Sequence, residues 1–200
     1  MKNKIINFCL NIIKKKYPQY NEEKISVIKY GLESIYLLIT KLIIIILLAY
    51  LLGLVKELII FLLIYNIIRT FSFGLHATKS WICLLSSTLI FILIPLVCKY
   101  VFLNTYIKII IGIIMIILFY KNAPADTKKR PIISKKRRYF FKITSTLICI
   151  IFIILSITTK NIFISNCFIF SLIVQSFIIS PTVYKIFGLS YNNYLSYQTI

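Results

Sequence analysis

The chain holds one histidine, His76, and it stands seven residues before Cys83 in the run Arg69-Thr70-Phe71-Ser72-Phe73-Gly74-Leu75-His76-Ala77-Thr78-Lys79-Ser80-Trp81-Ile82-Cys83. A thiol and an imidazole are the parts of a cysteine nucleophile with a histidine base, because a cysteine reacts as its thiolate and a neighbouring base helps to form it. On a straight helix two residues seven apart share a face but lie about 10.5 Å apart along the axis. That is too far for direct proton transfer, which needs about 3 Å between heavy atoms. The pair therefore requires a bend, and the apolar pattern lapses where one can form, at Gly74 and again at Thr78 and Lys79. Cys83 then falls in the first turn of the next helix, where the helix N-terminus favours a thiolate. Spacing alone leaves the bland alternative open, an interfacial imidazole and a buried thiol. Zinc needs more N and S ligands than this neighbourhood offers, so no metal is expected, and no cofactor is implied. Glu33 and Asp126 are the acids to consider for orienting the imidazole; for Glu33 the simpler alternative is a charge at a helix end.

The elements that must position this pair are apolar. Of the 200 residues, 60% are hydrophobic, and the mean hydropathy is +0.91. An ordinary soluble domain is about 45–50% apolar. The expected fold class is all-α: a polytopic integral membrane helical bundle of about six spans, near 35–54, 58–71, 81–102, 106–120, 140–158 and 162–179, preceded by an N-terminal amphipathic interfacial helix. Residues 1–200 read as one membrane domain, with an interfacial amphipathic region at 1–34, a transmembrane bundle at 35–180 and a polar tail at 181–200. Ile5, Phe8, Cys9, Ile12 and Ile13 line one face of the first helix, and the segment lacks the continuous apolar core and cleavage site of a secretory signal. Asn21, before Glu22 and Glu23, reads as the cap of a second helix running toward the first span. The five cysteines are odd in number and four lie in or beside apolar runs, so no disulfide framework is expected.

The net charge of +19 comes from 24 Lys and Arg against five acids. These charges fall between apolar runs, so they read as topology signals and contacts to anionic lipid, and nucleic-acid binding is not expected. Seven basic residues precede the first span and nine fall between Lys121 and Lys142. Positive connections are retained in the cytoplasm, so both clusters share that side, and an even number of spans puts both termini and the His76 connection there too.

Two motifs, with the span layout around them, carry a resemblance over nearly the whole chain. One is Arg69 with Gly74-Leu75-His76-Ala77 and Cys83; the other is Tyr120-Lys121-Asn122-Ala123-Pro124-Ala125-Asp126-Thr127-Lys128-Lys129-Arg130-Pro131. In these the chain resembles the accessory gene regulator B (AgrB) family of bacterial membrane endopeptidases. The resemblance implies a multi-pass protein of the bacterial cell membrane, with His76 as general base and Cys83 as nucleophile. It implies a quorum-sensing AgrD-like propeptide as substrate, cut through a Cys thioester and cyclised to a thiolactone or lactone, and a homodimer as the working form. Arg69, Gly74, Lys128, Lys129 and Arg130 are the expected substrate-binding residues, the basic ones meeting the propeptide's acidic tail. The chain departs from the family pattern where Phe73, in place of a second glycine, precedes Gly74. The competing class is a non-enzymatic membrane transporter or scaffold, with Asn66 and Gln175 as polar residues along a path.

Overall fold

A computed structural model describes residues 2–75, 80–128 and 130–197, and all its regular secondary structure among these residues is helical. It divides into a unit spanning residues 1–48 and a unit spanning residues 49–200, and helix α2 crosses the boundary.

In the first unit α1 (Lys2–Lys16) is the expected amphipathic helix, with Ile6 and Leu10 buried and Lys14, Lys15 and Lys16 in its last turn. Tyr17 and Tyr20 stack at 5.1 Å through the turn that follows. The Asn21 side chain then accepts the Lys24 amide at 3.0 Å, which starts α2 (Glu22–Leu51). The interfacial helix expected after Asn21 and the first span are thus one continuous 30-residue helix. Beyond Glu33, which pairs with Lys2 at 3.3 Å, Ile35, Leu38, Ile39, Ile43, Ile46 and Leu47 are all exposed. An apolar exterior of this kind suits hydrocarbon as solvent.

The second unit contains α3 (Val55–Ser72), α4 (Ser80–Tyr100), α5 (Thr105–Asn122), α6 (Lys135–Thr158), α7 (Ile162–Ile178) and the short α8 (Pro181–Ile186). Each expected span falls on a helix, and four helices (α2, α4, α5 and α6) are long and apolar enough to cross a membrane. α7 is apolar but one residue shorter than α3, at 17 residues, and α3 carries Lys56, Glu57 and Arg69. α7 is the centre of the bundle, packed against α3, α4, α5 and α6. Its apolar residues Ile169 and Leu172 are fully buried, and so are Asn166, Ser171 and Gln175. Polar side chains at the core of a lipid-solvated bundle must find partners within it. Asn166 donates to the carbonyls of Cys98 and Val101 at 3.0 and 2.6 Å, and Ser165 accepts from Lys108 at 2.6 Å. α5 and α6 approach closely at Gly112, where a Cβ would lie 2.9 Å from Ile153. Cys98, Cys149 and Cys167 are free and buried, as expected of small apolar fillers.

The end of the chain differs from expectation. Residues 181–197, read from sequence as polar tail, form α8 and a short 3-10 helix, Asn193–Tyr197, and bury Tyr184 and Asn193. Pro181 at the first helical position starts α8 as much as it ends α7.

Candidate active site

α3 ends in a backbone conformation that only a braced chain holds. Phe73 takes φ 57° and Gly74 takes φ 114°, both in the region that favours glycine. Arg69, one turn back, supplies the brace. Its Nη1 donates to the Phe73 carbonyl, and its Nη2 donates to the carbonyls of Leu75 at 2.9 Å and Gly74 at 3.4 Å. The carbonyls that follow the helix C-terminus are thus satisfied by a fixed cation, which the helix dipole also favours there. A Cβ on Gly74 would come within 2.5 Å of Arg69 Nη1 and 2.7 Å of Ile178 Cγ2, so the position admits only glycine without displacement.

Two further elements hold the segment from Ser72 to Leu75. From α7, Gln175 donates to Ser72 Oγ at 2.6 Å and to the Phe73 carbonyl at 2.7 Å, while it accepts from the Tyr65 hydroxyl at 3.0 Å. The Leu75 amide donates to Ile178 O at 3.3 Å, where α7 ends. From the α5–α6 turn, Ala125 donates its amide to Ser72 O at 3.1 Å and accepts the Gly74 amide at 2.8 Å. The turn opens with a cis Ala123–Pro124 peptide. α6 then begins at a cap, with Ser134 accepting the Arg137 amide at 3.4 Å.

Between the Phe73–Gly74 segment and the turn lies a cavity of about 440 Å³, lined by Arg69, Thr70, Phe73, Gly74, Ala125, Asp126, Thr127, Arg130 and Phe141. Phe73 meets Phe141 edge-on at 4.8 Å between ring centres. Arg69 and Arg130 both line it, and no carboxylate among the described residues pairs with either. Asp126 also lines it but is only 3% exposed, its carboxylate engaged by main-chain amides. Behind the turn, the Tyr184 hydroxyl donates toward the carbonyls of Asp126 at 3.0 Å and Ala125 at 3.3 Å, and that of Tyr191 donates to Asn122 O at 3.0 Å. Burial pushes both phenols up, Tyr191 to about 12 with the Asp126 charge adding to the effect, so both remain donors at any ordinary pH.

The residues read from sequence are distributed as follows. Arg69 and Gly74 stand at the cavity, where the structure makes them a brace and the backbone position that accepts it. Arg130 lines the cavity and Lys128 is exposed on the same turn. His76 and Lys129 lie outside the described residues, and Leu75, the last residue before His76, is the far end of the braced segment. Cys83 is half-buried in the first turn of α4, where expected, and its carbonyl accepts the Ser86 hydroxyl at 3.3 Å. Glu33 is paired with Lys2. Of the polar residues offered for a transport path, Gln175 is buried with all its contacts in the brace, and Asn66 donates to Leu62 O on its own helix at 2.9 Å. Sequence reading missed Tyr65, Ser72, Tyr184 and Asn193, whose partners are remote in the chain.

These features define a multi-pass helical membrane protein with a cationic cleft beside a strained, braced turn. Its relatives agree. The family profile described as "Accessory gene regulator B" matches residues 6–179, and the chain belongs to that family. It is 33% identical over 171 residues to a "Putative AgrB-like protein" of Clostridium acetobutylicum, covering 86% of this chain and 82% of the relative. It is 30% identical to a "Putative AgrB-like protein" of Listeria monocytogenes over 94% of this chain and 92% of the relative. It is 35% identical to "Accessory gene regulator protein B" of Staphylococcus aureus over 62% of this chain and 68% of the relative. No solved structure matches the chain. Membership of this family supports a role in quorum-sensing peptide processing.

Proposed function

We propose that this protein is a membrane cysteine endopeptidase that removes the C-terminal tail of an AgrD-like propeptide and promotes its cyclisation. The observation that carries the reading is the cavity lined by two arginines, Arg69 and Arg130, beside the backbone that leads directly into His76. His76 takes the Cys83 thiol proton, and the thiolate adds to the scissile carbonyl. Collapse of the tetrahedral adduct breaks the C–N bond, His76 returns the proton to the departing amine, and the acyl group remains as a thioester on Cys83. An internal Cys or Ser of the peptide then attacks that thioester, closing the ring and restoring the Cys83 thiol. The thioester conserves acyl reactivity, so ring closure requires no nucleotide, only exclusion of water while the internal nucleophile attacks.

In this reading Arg130, Lys128 and Lys129 receive the acidic tail, and Arg69 with Gly74 shapes the wall against which it lies. The site faces the cytoplasm, because the basic clusters before the first span and between Lys121 and Lys142 are retained there. The working form is a homodimer, as the family resemblance implies. The test is cleavage of an AgrD-like precursor by protein reconstituted in vesicles. Wild type cuts it, and His76→Ala and Cys83→Ser each lower the rate by about a thousandfold or more. Undiminished cleavage by well-inserted variants would remove the pair from the mechanism and favour a transporter or scaffold.

A further inference from the structure

Asp126 is the buried acid of the second unit, and its carboxylate has no cationic partner among the described residues. A buried charge of this kind is tolerated only when hydrogen bonds replace the water it has lost. Most of them come from the end of the chain. Oδ1 accepts the Asn193 amide at 2.8 Å and lies 3.5 Å from Asn193 Nδ2; Oδ2 accepts the Tyr194 amide at 2.9 Å. The remaining donor, the Ile132 amide at 3.3 Å, belongs to the turn itself. The donating segment is anchored independently. The Tyr194 ring lies 3.4 Å from the Arg138 guanidinium carbon and Tyr191 bonds the end of α5, while inside the segment Asn193 Nδ2 donates to Ser190 O at 2.8 Å.

One peptide unit separates this hub from the braced segment. Ala125, next to Asp126, makes both main-chain bonds to Ser72 and Gly74. The order of contacts is therefore Asn193 and Tyr194, Asp126, Ala125, then Ser72 and Gly74, two residues before His76. We propose that residues 190–197 form a strap that holds the segment leading into His76 by way of Asp126, which makes Asp126 and Asn193 positioning residues for peptide cleavage. The catalytic consequence rests on the peptidase reading above; the mechanical coupling does not. The strap residues also lie beyond the stretch 6–179 that defines the family match.

The test measures amide hydrogen exchange and cleavage on the full chain in lipid nanodiscs. Asp126→Asn, on the cavity wall, replaces the acceptor that the strap amides share, and the double variant Asn193→Ala/Tyr194→Ala, away from that wall, removes the strap's side-chain links to Asp126, Ser190 and Arg138 and so loosens the amides that bond Asp126. Both should speed exchange at the Gly74 and Ala125 amides, the two that join the turn to the braced segment, by about tenfold, the loss expected from a hydrogen bond to a charged group. The central α7 amides should keep their wild-type rates. A strap that merely secures its own end would quicken exchange in 190–197 and leave Gly74 and Ala125 unchanged, which would overturn the proposal. With an AgrD-like precursor, kcat should fall by about tenfold and KM stay within about twofold. A rise in KM alone would mean that Asp126 acts on substrate from the cavity wall, and would also overturn it. If wild type cuts no precursor, the peptidase reading fails by itself and the exchange rates still decide the strap. If one variant fails to insert, the other decides.

Discussion

Phe73, in front of Gly74, is one of two non-glycine residues with positive φ among the described residues. A bulky residue at φ 57° costs about 1–3 kcal/mol, whereas glycine occupies that region freely. The compensation is local: the ring packs edge-on against Phe141, a contact of about 0.5–1.5 kcal/mol beyond its buried area. The strain relieved opposes the ring contact and apolar burial lost, so Phe73→Gly should destabilise by less than the about 3–5 kcal/mol that truncating a core Phe costs, measured by denaturant titration in detergent. A loss of several kcal/mol would mean that ring packing, and not the Arg69 and Gln175 bonds, holds the turn. That the chain bends at Gly74 was legible from the lapse in apolar pattern before His76. What fixes it there was not, because the Arg69 and Ile178 atoms that forbid a Cβ come from two helices far apart in sequence.

Among the elements, α7 carries most of the burden. Sequence reading places the site on the connection between α3 and α4 and treats 162–179 as an ordinary last span; hydrophobicity locates such a span but does not say which span is surrounded. The polar residues are the signal that was available, since Asn166, Ser171 and Gln175 in an apolar helix must face protein. Gln175 bonds Ser72, Phe73 and Tyr65 together. Gln175→Ala should cost about 3 kcal/mol, because it strands several buried polar groups, and should lower cleavage through loss of the Phe73 brace. Retention of both stability and cleavage would show the Arg69 brace to be sufficient. The end of the chain was the least legible part. Its Tyr- and Asn-rich composition reads as polar tail, yet Tyr184 and Asn193 are buried because the α5–α6 turn needs donors for its carbonyls and for Asp126.

At the scale of the whole molecule, the hydropathy and charge pattern set the architecture. Each apolar run became a helix, and the basic turn between α5 and α6 came to rest at the braced end of α3. Charge serves two purposes there, and they can be separated. Lys128→Glu with Arg130→Glu leaves most of the positive cluster in place for topology, while it reverses two exposed charges beside the cavity. KM for an acidic-tailed precursor should rise by about tenfold, with membrane insertion unchanged, and the difference should shrink as salt screens it. If the variant fails only by disappearing from the membrane, the recognition role loses its support.

The central claim is that cleavage passes through an acyl group on Cys83, and intact-protein mass spectrometry tests it most directly. Protein mixed with an AgrD-like precursor should gain the mass of the peptide without its tail, localised to Cys83 and discharged by hydroxylamine. The gain should be absent in Cys83→Ser. Tail release that continues in Cys83→Ser, with no adduct in wild type, would contradict the account.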